Sequence, residues 1–270
     1  MPRAIPDDNL AYPVLLTIQQ GGFGSGFFLN TSHSLFLVTA KHVVFNPTTK
    51  ALVGTECSLL SYPRDPSEAG TNEFRLDLAK LNSDGNIKSH SGADVAIVKI
   101  ANVNRQGAAA LLAGVSAISS APSGILGVAE ANIKRFAEVL IANEVFIFGY
   151  PTSLGLKAIA QLDYAKPLLR RGIVAGKNDG LQTLVLDCPV YWGNSGGPVL
   201  EVETVDLTTK RFSVVGVVSQ FVPLVETWRN QTHGYENLDV SNSGYSVATP
   251  MDPVMELVSM FAVNPGRSTV

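Results

Sequence analysis

Two cysteines among 270 residues, Cys57 and Cys188, are too few for a disulfide framework and permit one bridge at most. No apolar run approaches the ~20 residues that a membrane-spanning helix needs. The start, Met1-Pro-Arg-Ala-Ile-Pro-Asp-Asp-Asn9, lacks a continuous apolar stretch before a cleavage site, so no secretory signal is read there. Charged residues make up only 16 % of the chain and net −3, with no basic stripe. That balance excludes nucleic acid and anionic membrane as expected partners. A reduced, cytoplasmic compartment is the simplest reading, and the sequons at Asn30 and Asn230 are taken as chance.

What is present describes a folded, turn-rich globule: 46 % hydrophobic residues and 24 glycines, with neither internal repeats nor a flexible linker. A chain of this length can be one large all-β unit. Strand-like runs recur at Tyr12–Gln19, Gly26–Leu29, Leu35–Val44, Glu144–Phe148, Lys157–Leu162, Leu168–Val174, Leu181–Leu186, Phe212–Gln220 and Gly244–Ala248. The cluster Gly21-Gly22-Phe23-Gly24-Ser25 has no G-K-[ST] ending and no helix after it, so it reads as a hairpin turn rather than a phosphate cradle. No cofactor and no metal site are expected. Residues 101–143 read as a surface insertion in which Glu130–Leu140 has helical spacing, and Asp252–Phe261 reads as a closing helix with Pro253 in its first turn.

Chemistry concentrates in Asp187–Leu200, D-C-P-V-Y-W-G-N-S-G-G-P-V-L, where Ser195 stands among three glycines between two apolar runs. Glycine allows positive φ and close approach. Such a loop can expose a serine oxygen and aim N–H groups at a bound carbonyl, as acyl transfer requires. A hydroxyl is a weak nucleophile and needs a base that titrates near neutrality. His42, in T-A-K-H after an apolar strand and expected to be partly buried, is the candidate; His33, His90 and His233 lie in polar turns and read as surface residues. Asp94 opens the run A-D-V-A-I-V-K-I, at a junction where a carboxylate either caps a turn or orients the imidazole. Asp77 is its competitor.

The ordered set G-S-G-F-F-L (24–29), T-A-K-H (39–42), A-D-V-A-I-V-K-I (93–100), F-G-Y-P (148–151), G-N-S-G-G-P-V (193–199) and V-G-V-V-S (215–219) resembles trypsin-like serine peptidases. In detail it is more similar to the bacterial high-temperature-requirement-A group than to the digestive enzymes. The resemblance implies an all-β fold of two packed six-stranded antiparallel barrels, at about 10–140 and 141–250, with a closing helix at 252–262. It implies a serine endopeptidase acting on a polypeptide substrate through an acyl-enzyme. Ser195 then corresponds to the nucleophile, His42 to the general base, Asp94 to the orienting acid, and the N–H groups of Gly193 and Ser195 to the oxyanion hole. Ser219 matches a serine whose hydroxyl supports the aspartate and whose backbone pairs with substrate.

Departures from the family pattern carry expectations of their own. Asn194 stands where digestive members have an aspartate that pairs with a newly cut N-terminus, and no activation-type cleavage sequence precedes Tyr12, so activation by cleavage is not expected. No peptide-binding domain of the kind many bacterial members carry is read in these 270 residues, so regulation through one is not expected. Pro189, Tyr191 and Trp192 offer no acid to the specificity wall, and Gln220 and Phe221 replace small residues opposite. Cleavage after Arg or Lys is therefore not expected, and a small or medium apolar side chain is. The motif G-x-S-x-G also fits an α/β-hydrolase elbow, but that fold needs acid and histidine after the serine, where only His233 lies. The rival that stays open is a silent or gated binding module on the peptidase fold, with a regulatory protein partner.

Overall fold

The side chains of a β-strand alternate between faces, so a strand that is apolar at every position must be covered on both. The computed structural model, which describes residues 5–151, 159–163, 165–206, 209–230 and 232–262, has several such strands. In chain order they belong to β1 (Pro13–Ile18), β2 (Gly22–Asn30), β3 (Ser34–Thr39), helix α1 (Lys41–Val44), β4 (Glu56–Ser61), β5 (Asn72–Asp77), helix α2 (Leu78–Ser83), β6 (Ile87–Ser89), β7 (Ala96–Val103), β8 (Ala109–Leu111), β9 (Val115–Ser119) and β10 (Gly127–Ala129). These form a ten-stranded sheet with the path β6-β7-β3-β2-β1-β4-β5-β9, to which β8 adds on β7 and β10 runs parallel to β2. The second body is a closed ring of β11 (Glu144–Gly149), β12 (Leu168–Asn178), β13 (Thr183–Asp187), β16 (Tyr235–Pro250), β15 (Lys210–Asn230) and β14 (Pro198–Thr204). Helix α3 (Met251–Ala262) follows.

Alternation sorts the apolar side chains into three cores. Phe28, Leu35, Leu37, Val98 and Ile100 fill the first sheet's own interior. Their neighbours Phe27, Phe36, Val38, Val95 and Ile97 point the other way, to Phe146, Phe148, Leu200 and Met251. Val145, Ile147, Val199 and Val215 fill the ring. The middle core therefore joins the two bodies, and β3 is buried along its whole length because it serves two cores at once. Burying a Leu, Val or Phe side chain contributes roughly 1.5–3 kcal/mol each, which makes this junction a substantial part of the fold's stability.

The expected all-β fold of two packed β bodies with a closing helix is present, the first body an open sheet curling into a half-barrel and the second a closed six-stranded ring. Several local expectations change. Helical spacing at Glu130–Leu140 yields instead two 3₁₀ turns, Glu130–Asn132 and Phe136–Glu138, because tertiary contacts override the local period. Phe136 and Val139 enter the ring core, while Lys134 pairs with Glu201 and with Glu203 at 3.0 Å. Of the strand expected at Lys157–Leu162, residues 157 and 158 lie outside the described residues, and 159–162 form a turn closed by Leu162 N–H on Ile159 C=O at 3.0 Å. The strands expected at Phe212–Gln220 and Gly244–Ala248 both run on past the ring, pairing from Pro223↔Asn242 to Asn230↔Tyr235 as a two-stranded arm. Cys57 and Cys188 are free thiols in different cores, and burial pushes them up to about 12 and about 11.

Candidate active site

His42 sits on the one-turn helix α1, entered from the end of β3 through Ala40 in extended geometry. The first N–H groups of a helix lack partners inside it. Asp94, in the loop between β6 and β7, supplies one: its Oδ1 accepts from the His42 backbone N–H at 3.0 Å, while its Oδ2 lies 2.7 Å from His42 Nδ1. A carboxylate only accepts, so the ring hydrogen is on Nδ1 and Nε2 is the basic nitrogen. The imidazole side chain is 39 % exposed and the carboxylate 35 %, so both are partly buried and open to solvent. Asp77 is committed elsewhere. Its side chain accepts from Lys80 N–H at 2.8 Å as the N-cap of α2.

The loop that carries Ser195 connects β13 to β14. Gly193 (φ 97°) and Gly196 (φ 89°) take the left-handed conformation that other residues rarely adopt. At Gly196 a Cβ would lie 2.0 Å from Ser25 O and 2.2 Å from Thr39 Oγ1, so the loop abuts the first sheet too closely for any side chain. Ser25 is the stitch between the bodies: its N–H donates to Ser195 O at 2.8 Å, its hydroxyl to Gly193 O at 2.6 Å, and it accepts from Tyr150 N–H at 3.0 Å. Asn194 braces the loop from within, accepting from Tyr191 N–H at 3.0 Å and donating its own N–H to Tyr191 O at 2.9 Å. Gly196 and Gly197 N–H groups are engaged by Val218 O and Asn194 O. Among the described residues those of Gly193 and Ser195 have no protein acceptor.

Ser195 Oγ donates to Ser219 O at 3.3 Å, and among the described residues no hydrogen bond joins it to His42. The Ser219 hydroxyl departs from expectation too. It pairs with Thr249 Oγ1 at 2.7 Å across the β15–β16 ladder, while both oxygens of Asp94 serve His42. Tyr191 lies under the Arg170 guanidinium, 4.6 Å from its ring centroid, whereas Trp192 is 72 % exposed at the mouth of the loop. Phe221 packs against the ring core and Gln220 faces solvent. A cleft of about 510 Å³ between the bodies is lined by Asp94, Ser219 and Gln220, and one of about 250 Å³ by His42 and Asp94. Neither of these two hollows includes Ser195.

A family model, the trypsin-like peptidase domain, matches residues 24–207. The chain belongs to the trypsin-like peptidase family. Its fold is similar to an HtrA-type protease, AlgW, solved with a tripeptide (15 % identity, 93 % of this chain and 60 % of that chain, TM-score 0.50). It is similar also to Deg5 (15 % identity, 93 % and 88 %, TM-score 0.51) and to human heparin binding protein (11 % identity, 99 % and 98 %, TM-score 0.55). At these identities the likeness is one of fold, and this chain spans 60 % of the AlgW chain's length. A comparison with curated protein sequences found no match.

Within this trypsin-like domain the residues that sequence reading missed are supports. Ser25 and Thr39 support the Ser195 loop, Thr39 donating to Ser25 O at 2.7 Å, and both fall inside quoted motifs whose small polar residues carry no evident task in the sequence. His90, expected at the surface, uses its ring to bond three partners. The signal available for it is slight: a histidine two residues before a glycine at the entry to Asp94.

Proposed function

We propose that this trypsin-like domain is a serine endopeptidase. In this reading Ser195 Oγ attacks the scissile carbonyl as His42 Nε2 takes its proton. Negative charge developing on the carbonyl oxygen is met by the Gly193 and Ser195 N–H groups. His42 then gives its proton to the leaving amine, an ester to Ser195 remains, and water activated by the same nitrogen releases the acid. Asp94 holds the tautomer and stabilises the imidazolium. The observation that carries the reading is the two-point grip of Asp94 on His42, which leaves Nε2 free to serve as a base, within a body bonded to the serine loop through Ser25.

The reading requires the Ser195 hydroxyl to leave Ser219 O for the imidazole, a change that begins with rotation about its side-chain bond between staggered wells. Catalytic hydrogen bonds are commonly long or misaligned without substrate and tighten in the complex. Asn194, bound to Tyr191, does within the loop what a new N-terminus does in digestive members, so the reading includes activity without cleavage. With no acid at Pro189, Tyr191 or Trp192, the substrate side chain proposed is small or medium and apolar.

One observation favours a second reading, a silent or gated binding module: the Ser195 hydroxyl bonded to Ser219 O rather than to the base. A fluorophosphonate probe separates the two. Labelling of the wild-type chain that disappears in Ser195→Ala is expected; neither labelling nor cleavage of unfolded polypeptide would leave the binding module.

A further inference from the structure

His90 directly follows β6 and begins the loop that delivers Asp94. Its Nδ1 accepts two backbone N–H groups, from Gly92 at 3.2 Å and from Ala93 at 2.8 Å, the residues immediately before Asp94. A ring nitrogen that accepts carries no hydrogen, so the imidazole is held with its hydrogen on Nε2. That atom lies 3.1 Å from Glu256 Oε2 on α3. The main chain of the same residue is committed as well: its N–H donates to Val95 O at 3.0 Å, and its carbonyl accepts from Lys41 Nζ at 2.7 Å. Lys41 is the neighbour of His42. Bonds from this one residue thus bracket Asp94 on both sides and reach the helix of the base and α3.

We infer that His90 is a positioning residue for Asp94, acting through the acceptor at Nδ1, and the inference rests on His42 and Asp94 being base and acid. A loop N–H pair is ordinarily gathered by an amide in this chain. Asn46 Oδ1 takes Thr48 and Thr49 N–H at 2.9 and 3.0 Å, and Asn104 Oδ1 takes Gln106 and Ala108 N–H at 3.0 and 2.9 Å. At position 90 an imidazole performs the same gathering with its side chain 21 % exposed, and uses its far nitrogen to fasten the loop to α3. Glu256 is 62 % exposed, so that outer link is the weaker part, and the acceptor is what sets the register of the two Asp94 oxygens on His42.

The acceptor role makes a specific demand on substitutions. On the full chain, His90→Ala should slow fluorophosphonate labelling of Ser195 by about 10- to 100-fold, the range for losing an outer partner that orients a functional side chain. His90→Asn, which restores an acceptor for the same two N–H groups, should recover most of that loss. In proton NMR the low-field Nδ1 resonance of His42 should shift or broaden in His90→Ala and return in His90→Asn. Should the alanine variant fail to fold, His90→Phe, which keeps bulk without an acceptor, takes its place against His90→Asn. An unmoved His42 resonance in the acceptor-free variant, or an Asn variant no better than it, overturns the inference. A wild-type chain inert to the probe defeats the peptidase reading instead, while the His42 resonance still reports on positioning.

Discussion

In the first sheet His42 and Asp94 already meet through two bonds of 3.0 and 2.7 Å, whereas in the ring the Ser195 hydroxyl turns to its own body, to Ser219 O at 3.3 Å. The difference follows from what each bond is made of. One of the two Asp94 bonds uses a backbone N–H, so forming the helix and the loop brings the pair together without substrate. The serine contact depends on a single hydroxyl rotor, which is bonded to Ser219 O. Around that rotor the frame is as constrained as in the other half, with Ser25, Gly196 and Asn194 all committed across or within the loop. The contrast is therefore between a pair assembled partly by a backbone bond and a hydroxyl that stays with its own body.

If the halves act as one unit, removing the rotor removes the chemistry. Ser195→Ala should lower kcat by about 10⁶, the scale of loss when a serine peptidase is deprived of its nucleophile, and abolish covalent labelling. Residual turnover above that level would separate the halves. Breaking the assembled half should do less: Asp94→Asn leaves both oxyanion donors and the serine in place and should cost about 10⁴ in kcat, with the wrong tautomer as the cause. Equal loss in Asp77→Asn would mean that the acid has been misassigned.

A third substitution tests the frame that both halves share. Gly196→Ala should destabilise the fold by about 3 kcal/mol, because the new methyl meets Ser25 O at 2.0 Å at a φ of 89°. Gly176→Ala is the control, since nothing lies within 4 Å of a Cβ there, and its effect should stay within about 0.5 kcal/mol. Urea unfolding of the two variants reads the contrast directly. Similar midpoints would show that the serine loop yields to the sheet instead of being set by it.

The strands were legible because each carries its own pattern: β3, β7 and β11 are apolar at nearly every position, and two-sided burial follows from that. His42, Asp94 and Ser195 were legible as residue types at strand–loop junctions. What escaped has partners distant in sequence. Ser219 finds Thr249 thirty residues on, and Ser25 finds Gly193 across the interface between the bodies. The arm of β15 and β16 escaped for a local reason: Pro223 interrupts an otherwise strand-like run, and proline argues against a ladder. In the structure it sits at a register shift between Phe221 and Pro223, where the ladder is irregular and tolerates it.

Asp77 and Asp94 make the finest form of the comparison, two carboxylates of the same sheet at strand ends. Asp77 gives one oxygen to Lys80 N–H at 2.8 Å, and its backbone N–H is bound by Gly114 O at 2.8 Å, so its neighbours are a helix start and a turn with no titrating ring among its bonds. Its removal should therefore appear as lost capping alone. Asp77→Ala should cost about 1 kcal/mol of stability, the ordinary value of an N-cap, while the fluorophosphonate labelling rate of Ser195 stays unchanged. Asp77→Ser, which also caps, should recover the stability. A drop in labelling with Asp77→Ala that Asp77→Ser does not restore would require a path from α2 to His42 that the hydrogen bonds of this sheet do not contain.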